Sequence, residues 1–139
     1  MEQNNRVLVF DTETTGLPPR GDDGGDIKKY PYITQLSYIV YDCEAKEIVY
    51  KFDTYINIDA SIPLSEEVKN LTGVTREKLD DGMDMLSALK TFYKHYSTSS
   101  KIIAHNIGFD KQMMLVEMER HRGSIQTEHP ECLALFNTY

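Results

Sequence analysis

Asp11 and Glu13 stand two residues apart, directly after the apolar run Val7-Leu8-Val9-Phe10, in the stretch Phe10-Asp11-Thr12-Glu13-Thr14-Thr15-Gly16-Leu17. If that run is a strand, alternation puts both carboxylates on one face and turns Thr12 away. Two anions side by side at the end of a buried strand repel each other, which costs stability and raises a pKa. A divalent cation relieves both penalties, and carboxylate oxygens suit Mg²⁺ or Mn²⁺. The plainer alternative makes Asp11 a strand-end cap and Glu13 a solvated turn residue, and for a bare Asp-x-Glu that alternative is the better one. The buried run before the pair and the Thr14-Thr15-Gly16 turn after it reverse the balance. That turn supplies hydroxyls and backbone N–H groups, and Gly16 permits close approach by a ligand.

A second constellation is Ala104-His105-Asn106-Ile107-Gly108-Phe109-Asp110, which follows the short apolar run Ile102–Ala104. Asp110 falls in the first turn of an expected helix, where negative charge is favoured. Taken alone, it is a helix-start acid with Asn106 as the cap. Taken with the first motif, it becomes a third carboxylate ligand. Both segments follow strands expected to be neighbours, and ligands gather at one end of such sheets. Asp11, Glu13 and Asp110 are therefore expected to converge at the C-terminal end of the first strand.

The elements that must position these groups follow from periodicity. Val7–Phe10 and Ile102–Ala104 read as strands buried on both faces. Ile33 to Tyr41 reads as a second strand, Asp42 to Lys46 as a tight turn, and Ile48 to Ile56 as a third strand alternating at period two. Ser65 is expected to cap a short helix that Gly73 stops. Asp80-Asp81-Gly82 marks a turn, and the apolar spacing predicts helices over 83–96 and 110–122. Leu133 to Phe136 is expected to begin another strand. The loop from Gly16 to Tyr32 is the one long stretch rich in Gly and Pro, and it is expected to flank the site. Its Lys28 and Lys29 read more simply as solvated charge than as a nucleic-acid contact.

Bulk composition narrows the class. The chain has 139 residues and 40% hydrophobic content, enough for one domain with a core. A net charge of −7 gives no global attraction for nucleic acid, so any such contact must be local. Cys43 and Cys132 have no short metal-ligand spacing. No apolar run approaches transmembrane length and residues 1–6 are polar, so a soluble intracellular protein with no membrane association is expected.

Asp11-Thr12-Glu13-Thr14-Thr15-Gly16-Leu17 resembles the first motif of the DEDD superfamily of 3′–5′ exonucleases, and His105-Asn106-Ile107-Gly108-Phe109-Asp110 resembles the second. Gln35-Leu36-Ser37 and Leu71-Thr72-Gly73-Val74-Thr75 between them fit the same family. Its members include the proofreading exonuclease subunit of bacterial replicative DNA polymerase. The resemblance is to the DEDDh type. It implies an α/β, ribonuclease H-like mixed sheet, with a three-strand meander plus parallel strands and flanking helices. It also implies two divalent cations, Mg²⁺ or Mn²⁺, on Asp11, Glu13 and Asp110. Thr14, Thr15 and Leu17 would hold the terminal nucleotide, Asn106 would stand near the substrate phosphate, and Phe109 near the terminal nucleotides. Gly16 and His105 belong to the same substrate-binding set. The implied substrate is a single-stranded 3′ end of DNA or RNA, and the implied partner a polymerase or other replication protein.

The chain departs from the family in one respect. The family's third motif is a His general base followed five residues later by a fourth metal-binding Asp. No Asp follows Asp110, and His121 and His129 have no acidic residue at that spacing. His105 and Asp110 have it, but both already belong to the second motif. The expectation is that residues 1–139 form the N-terminal part of a single exonuclease domain, C-terminally incomplete and close to inactive. The alternative is a non-catalytic nucleic-acid-binding or interaction module that keeps the fold.

Overall fold

The computed structural model describes residues 5–17 and 26–136. Among these residues four strands form one mixed sheet in the order β3-β2-β1-β4: β1 (Arg6–Thr14), β2 (Ile33–Asp42), β3 (Glu47–Tyr55) and β4 (Lys101–Ala104). The first three form the antiparallel meander, and β4 returns parallel to β1. The tight turn between β2 and β3 is closed by Asp42, whose Oδ1 accepts from the N–H groups of Glu44 and Ala45.

Among the described residues five helices follow or flank the sheet: α1 (Glu66–Thr72), α2 (Arg76–Asp80), α3 (Met85–Tyr96), α4 (Ile107–Arg120) and α5 (Arg122–Glu128). Ser65 caps α1 by accepting from the Val68 N–H, and Gly73 ends it at φ 74°, the left-handed region open to glycine. Asp84 caps α3, which buries Met85, Ala88, Leu89 and Phe92 on one stripe.

The core lies on one side of the sheet. Leu8 and Phe10 of β1 and Leu36, Tyr38 and Val40 of β2 are buried against α3 and α4. Phe92 meets the Phe10 ring edge-on at 5.2 Å and the Tyr38 ring edge-on at 5.3 Å. The expectation that β1 and β4 are buried on both faces is corrected. Val9 is half-buried, Asp11 exposed, and Ile103 of β4 exposed. A run such as Val-Leu-Val-Phe is apolar at both parities, so its pattern could not say which face would be covered.

Three other expectations change. Residues 133–136 form no strand; Pro130–Ala134 is a 3-10 turn that buries Cys132, and Leu135 is buried just after it. Proline fixes φ and lacks an N–H, which suits the first turn of a helix and not a sheet ladder. The helix expected over 110–122 begins three residues earlier and ends at Arg120, where α5 takes over. Helix α2 was not expected beside the turn at Asp81-Gly82; Thr75 caps it and Leu79 anchors it. Of the loop from Gly16 to Tyr32, residues 18–25 lie outside the described residues, and Ile27–Lys29 form a short 3-10 turn. No helix among the described residues is long and apolar enough to cross a membrane.

Candidate active site

The first motif begins within β1: Asp11–Thr14 are the strand's last four residues, and residues 15–17 form the turn after it. Strand β1 pairs with β4 only as far as Phe10–Ala104, and pairs with β2 through Thr14. Residues Asp11 to Thr14 thus project past the end of β4, leaving one edge of β1 without a strand partner. Asp110, in the first turn of α4, fills that gap. Its Oδ1 accepts from the Thr12 N–H at 3.1 Å and from the Thr12 hydroxyl at 2.7 Å. Asp110 is 3% exposed, so a carboxylate normally dear to bury has two donors waiting for it.

Asp11 and Glu13 lie on the other face of β1, away from Thr12, as alternation requires. Their surroundings push both pKa values up. Burial is the larger cause for Asp11, followed by the charge of Asp110, while nearby His105 and the Thr12 N–H pull it down. For Glu13 burial again leads, followed by the charges of Asp11 and Asp110. The three carboxylates therefore feel one another. Among the described residues, however, no three His, Cys, Asp or Glu side chains form a preassembled metal-holding group. The donor chemistry fits a small divalent cation: three hard oxygen donors, two of them with pKa values raised by burial and then by neighbouring charge. Asp11 and Glu13 both lie within electrostatic reach of Asp110.

The sheet bulges between Glu13 and Thr14. Beyond it the chain turns, and the Thr14 hydroxyl donates to the Gly16 carbonyl at 2.7 Å. Thr15 is also engaged: its N–H donates to the Tyr32 carbonyl at 2.9 Å and its Oγ accepts from the Tyr32 N–H at 3.0 Å. The Thr14 hydroxyl and both Thr15 groups thus shape the turn. A Cβ at Gly16 would meet nothing within 4 Å, so packing within the protein does not demand glycine there.

A groove of about 520 Å³ opens beside this turn. Thr14, Thr15, Gly16, Leu17 and Phe109 line it, so five of the foreseen substrate residues come together. Leu17 is 80% exposed and Leu71, opposite it on α1, 78% exposed. Bare leucines facing a groove in this way mark a surface suited to an apolar or aromatic group. His105 lies apart from that groove. It lines a second one of about 640 Å³ on the open sheet face, with Asp11, Ser37, Ile39, Lys51 and Asp53 among its walls. Asn106 precedes α4 at the N-cap position but makes no capping bond through its side chain.

Two contributors were missed from the sequence. Alternation turns Thr12 away from Asp11 and Glu13, yet Thr12 holds Asp110; a hydroxyl on the buried parity of a strand needs a partner, and that is its signal. Helix α1 supplies Ser65, Glu67, Val68, Leu71 and Thr72 to the groove wall. The Ser65 cap and the Gly73 stop mark this helix in the sequence, but nothing local places it beside the turn after β1.

The exonuclease family model RNase_T matches residues 8–137. DNA polymerase III PolC-type of Streptococcus pyogenes serotype M2 (strain MGAS10270) is 35% identical over 115 residues, covering 82% of this chain and 7% of the relative. The corresponding protein of serotype M1 is 34% identical over the same length. This chain thus spans about 7% of the length of these relatives. Among solved structures, exonuclease I in complex with the inhibitor BCBP superposes with a TM-score of 0.70 at 17% identity, covering 86% of this chain and 25% of that one. The nuclease domain of 3′hExo, a DEDDh family member bound to rAMP, superposes at 0.65 and 15% identity, covering 86% and 60%. At such identities these likenesses show the ribonuclease H-like fold, while the family match and the PolC-type relatives carry the kinship. With its first motif at the end of β1 and its second running from the end of β4 into α4, the chain belongs to the exonuclease family that the RNase_T model describes.

Proposed function

We propose that this chain contributes the metal- and 3′-end-binding part of a 3′–5′ exonuclease, with DNA as the substrate to test first. One observation carries the proposal: Asp11, Glu13 and Asp110 share one electrostatic field beside a groove lined by the Thr14–Leu17 turn and Phe109. Asp11, Glu13 and one oxygen of Asp110 would hold one or two divalent cations, Mg²⁺ or Mn²⁺. When bound, such ions stabilise charge on the attacking and leaving oxygens of a phosphodiester. Thr12 keeps the Asp110 carboxylate aimed by occupying its other oxygen. Leu17, Leu71 and Phe109 would enclose the terminal base, and the Thr14–Gly16 turn would bring backbone against the sugar. Kinship with the PolC-type polymerases supports DNA and a replication partner; exonuclease I in its complex with a dA16 oligonucleotide offers a DNA precedent in this fold. The 3′-exonuclease that recognises a histone mRNA stem-loop offers an RNA one.

A specific observation favours a second version of this proposal. No His after Asp110 is followed five residues later by an acid, so neither the general base nor the fourth ligand of the family's third motif has a counterpart in these residues. A missing general base typically lowers turnover by about 10²–10⁴-fold. These 139 residues would then bind metal and a 3′ end while cleaving close to background. The test is calorimetric titration with Mn²⁺, followed by titration with a short oligonucleotide ending in a free or blocked 3′-hydroxyl, as DNA and as RNA. Metal-dependent binding that prefers the free 3′ end supports the proposal. Metal binding that survives replacement of all three carboxylates refutes it.

A further inference from the structure

Farther along α4 lies an ion pair that the chemistry above leaves unused. Arg120 Nη1 stands 3.3 Å from Glu117 Oε1, and both side chains are largely buried. Glu117 is 2% exposed, and its Oε2 accepts from the Ile33 N–H at 2.8 Å. Arg120 donates to three carbonyls: Tyr30 at 2.7 Å, Pro31 at 2.9 Å and Ile27 at 3.2 Å. Its guanidinium lies over the Tyr32 ring, 3.7 Å from the centroid. The pair thus holds residues 27–33, the limb by which the loop after the first motif returns to the sheet. Tyr32 in turn exchanges two hydrogen bonds with Thr15. A continuous set of contacts runs from α4 through Arg120, Tyr32 and Thr15 to the turn that bears Gly16 and Leu17.

Fold stability does not account for this arrangement. Removing a carboxylate and a guanidinium from water costs several kcal/mol per ion, and apolar residues of similar volume often serve as well. A rigid guanidinium fork that meets several carbonyls does something apolar residues cannot: it fixes where that backbone lies. The same helix carries Asp110, which is tied to Thr12 at its other end.

We propose that Glu117 and Arg120 are positioning residues. They hold the Thr15–Leu17 turn at a set distance from Asp110, so that the nucleotide groove and the metal-binding carboxylates form one rigid body. The proposal rests on the exonuclease function above for its purpose, but its geometry is testable without it.

The test uses Arg120→Lys in the full chain, which keeps a cation beside Glu117 and removes the fork. Exchange of the Thr15 amide, followed by NMR, should accelerate about tenfold or more, the equivalent of one lost charge-assisted hydrogen bond. Affinity for thymidine 5′-monophosphate in the presence of Mn²⁺ should fall roughly tenfold to a hundredfold, while affinity for Mn²⁺ alone stays at the wild-type value. If Arg120→Lys does not fold, the double variant Glu117→Met/Arg120→Leu takes its place, with the same losses expected whatever its melting temperature. Unchanged Thr15 exchange and nucleotide affinity in the folded variant would overturn the proposal, and so would a Thr15 acceleration no larger than that of core amides such as Leu8, because a merely stabilising pair speeds all of them alike. Wild-type protein that binds no nucleotide with Mn²⁺ would instead count against the exonuclease function, and Thr15 exchange would still decide the positioning role.

Discussion

The two faces of β1 have opposite requirements. On the inner face Leu8 and Phe10 are buried among aromatic rings, and Thr12 finds its partner in Asp110. On the outer face Val9 and Asp11 border an open groove, and Asp11 and Glu13 hold charges that repel. The inner face is satisfied by the protein's own atoms. The outer face keeps carboxylates whose pKa values burial and their neighbours' charges raise, with His105 pulling that of Asp11 the other way. One strand thus carries both the fold and the unmet demand that function uses, and the period of two keeps them separate.

The largest effect should come from the inner face. Phe10→Ala should cost about 3–5 kcal/mol of stability in urea denaturation, whereas Val9→Ala should cost less than about 1 kcal/mol. Similar costs would mean that the outer face is covered and the contrast is wrong. Next comes the residue that joins the two faces. Asp110→Ala strands the Thr12 N–H and hydroxyl and should cost about 1–3 kcal/mol. Asp110→Asn keeps an acceptor for Thr12, so it should recover most of that stability while weakening Mn²⁺ binding by about tenfold or more.

Asp11→Asn should reverse the sign. Burial and the charge of Asp110 raise the Asp11 pKa above its ordinary 3.8. The protonated form therefore carries the favourable contribution, which is complete below that ordinary value and lost as pH rises through the folded-state value. Without metal, the variant should be more stable than wild type at pH 7, by no more than about 1 kcal/mol because the group is solvent-screened. The gain should vanish near pH 3, and saturating Mn²⁺ should stabilise wild type more than the variant. A loss of stability at pH 7 would show that repulsion does not dominate the outer face. The smallest effect concerns the loop limb. Lys28→Ala with Lys29→Ala should flatten the salt dependence of single-strand binding by roughly 1 to 2 in log–log slope if both meet phosphates. An unchanged slope would leave them as solvated charge.

Much of this molecule was written locally. The alternation that sets Asp11 and Glu13 against Thr12, the Ser65 cap and Gly73 stop of α1, the apolar stripe of α3 and the turn at Asp42 all depend on neighbours within a few residues. Their identities and spacing therefore determined them. The two motifs were legible for the same reason, since each is one contiguous stretch at a strand end. Other features join residues far apart in sequence. Asp110 meets Thr12 across 98 positions, and Glu117 meets Ile33 across 84. Leu71 reaches the groove only because α1 lies beside the turn after β1. Which face of β1 stays open, and that the Thr14 and Thr15 groups are engaged within their own turn, depend on what packs alongside. No local pattern encodes the neighbour that a side chain will meet after the chain has folded back. Tertiary structure alone decided those points, because burial and hydrogen-bond partnership belong to the assembled packing and not to the residue.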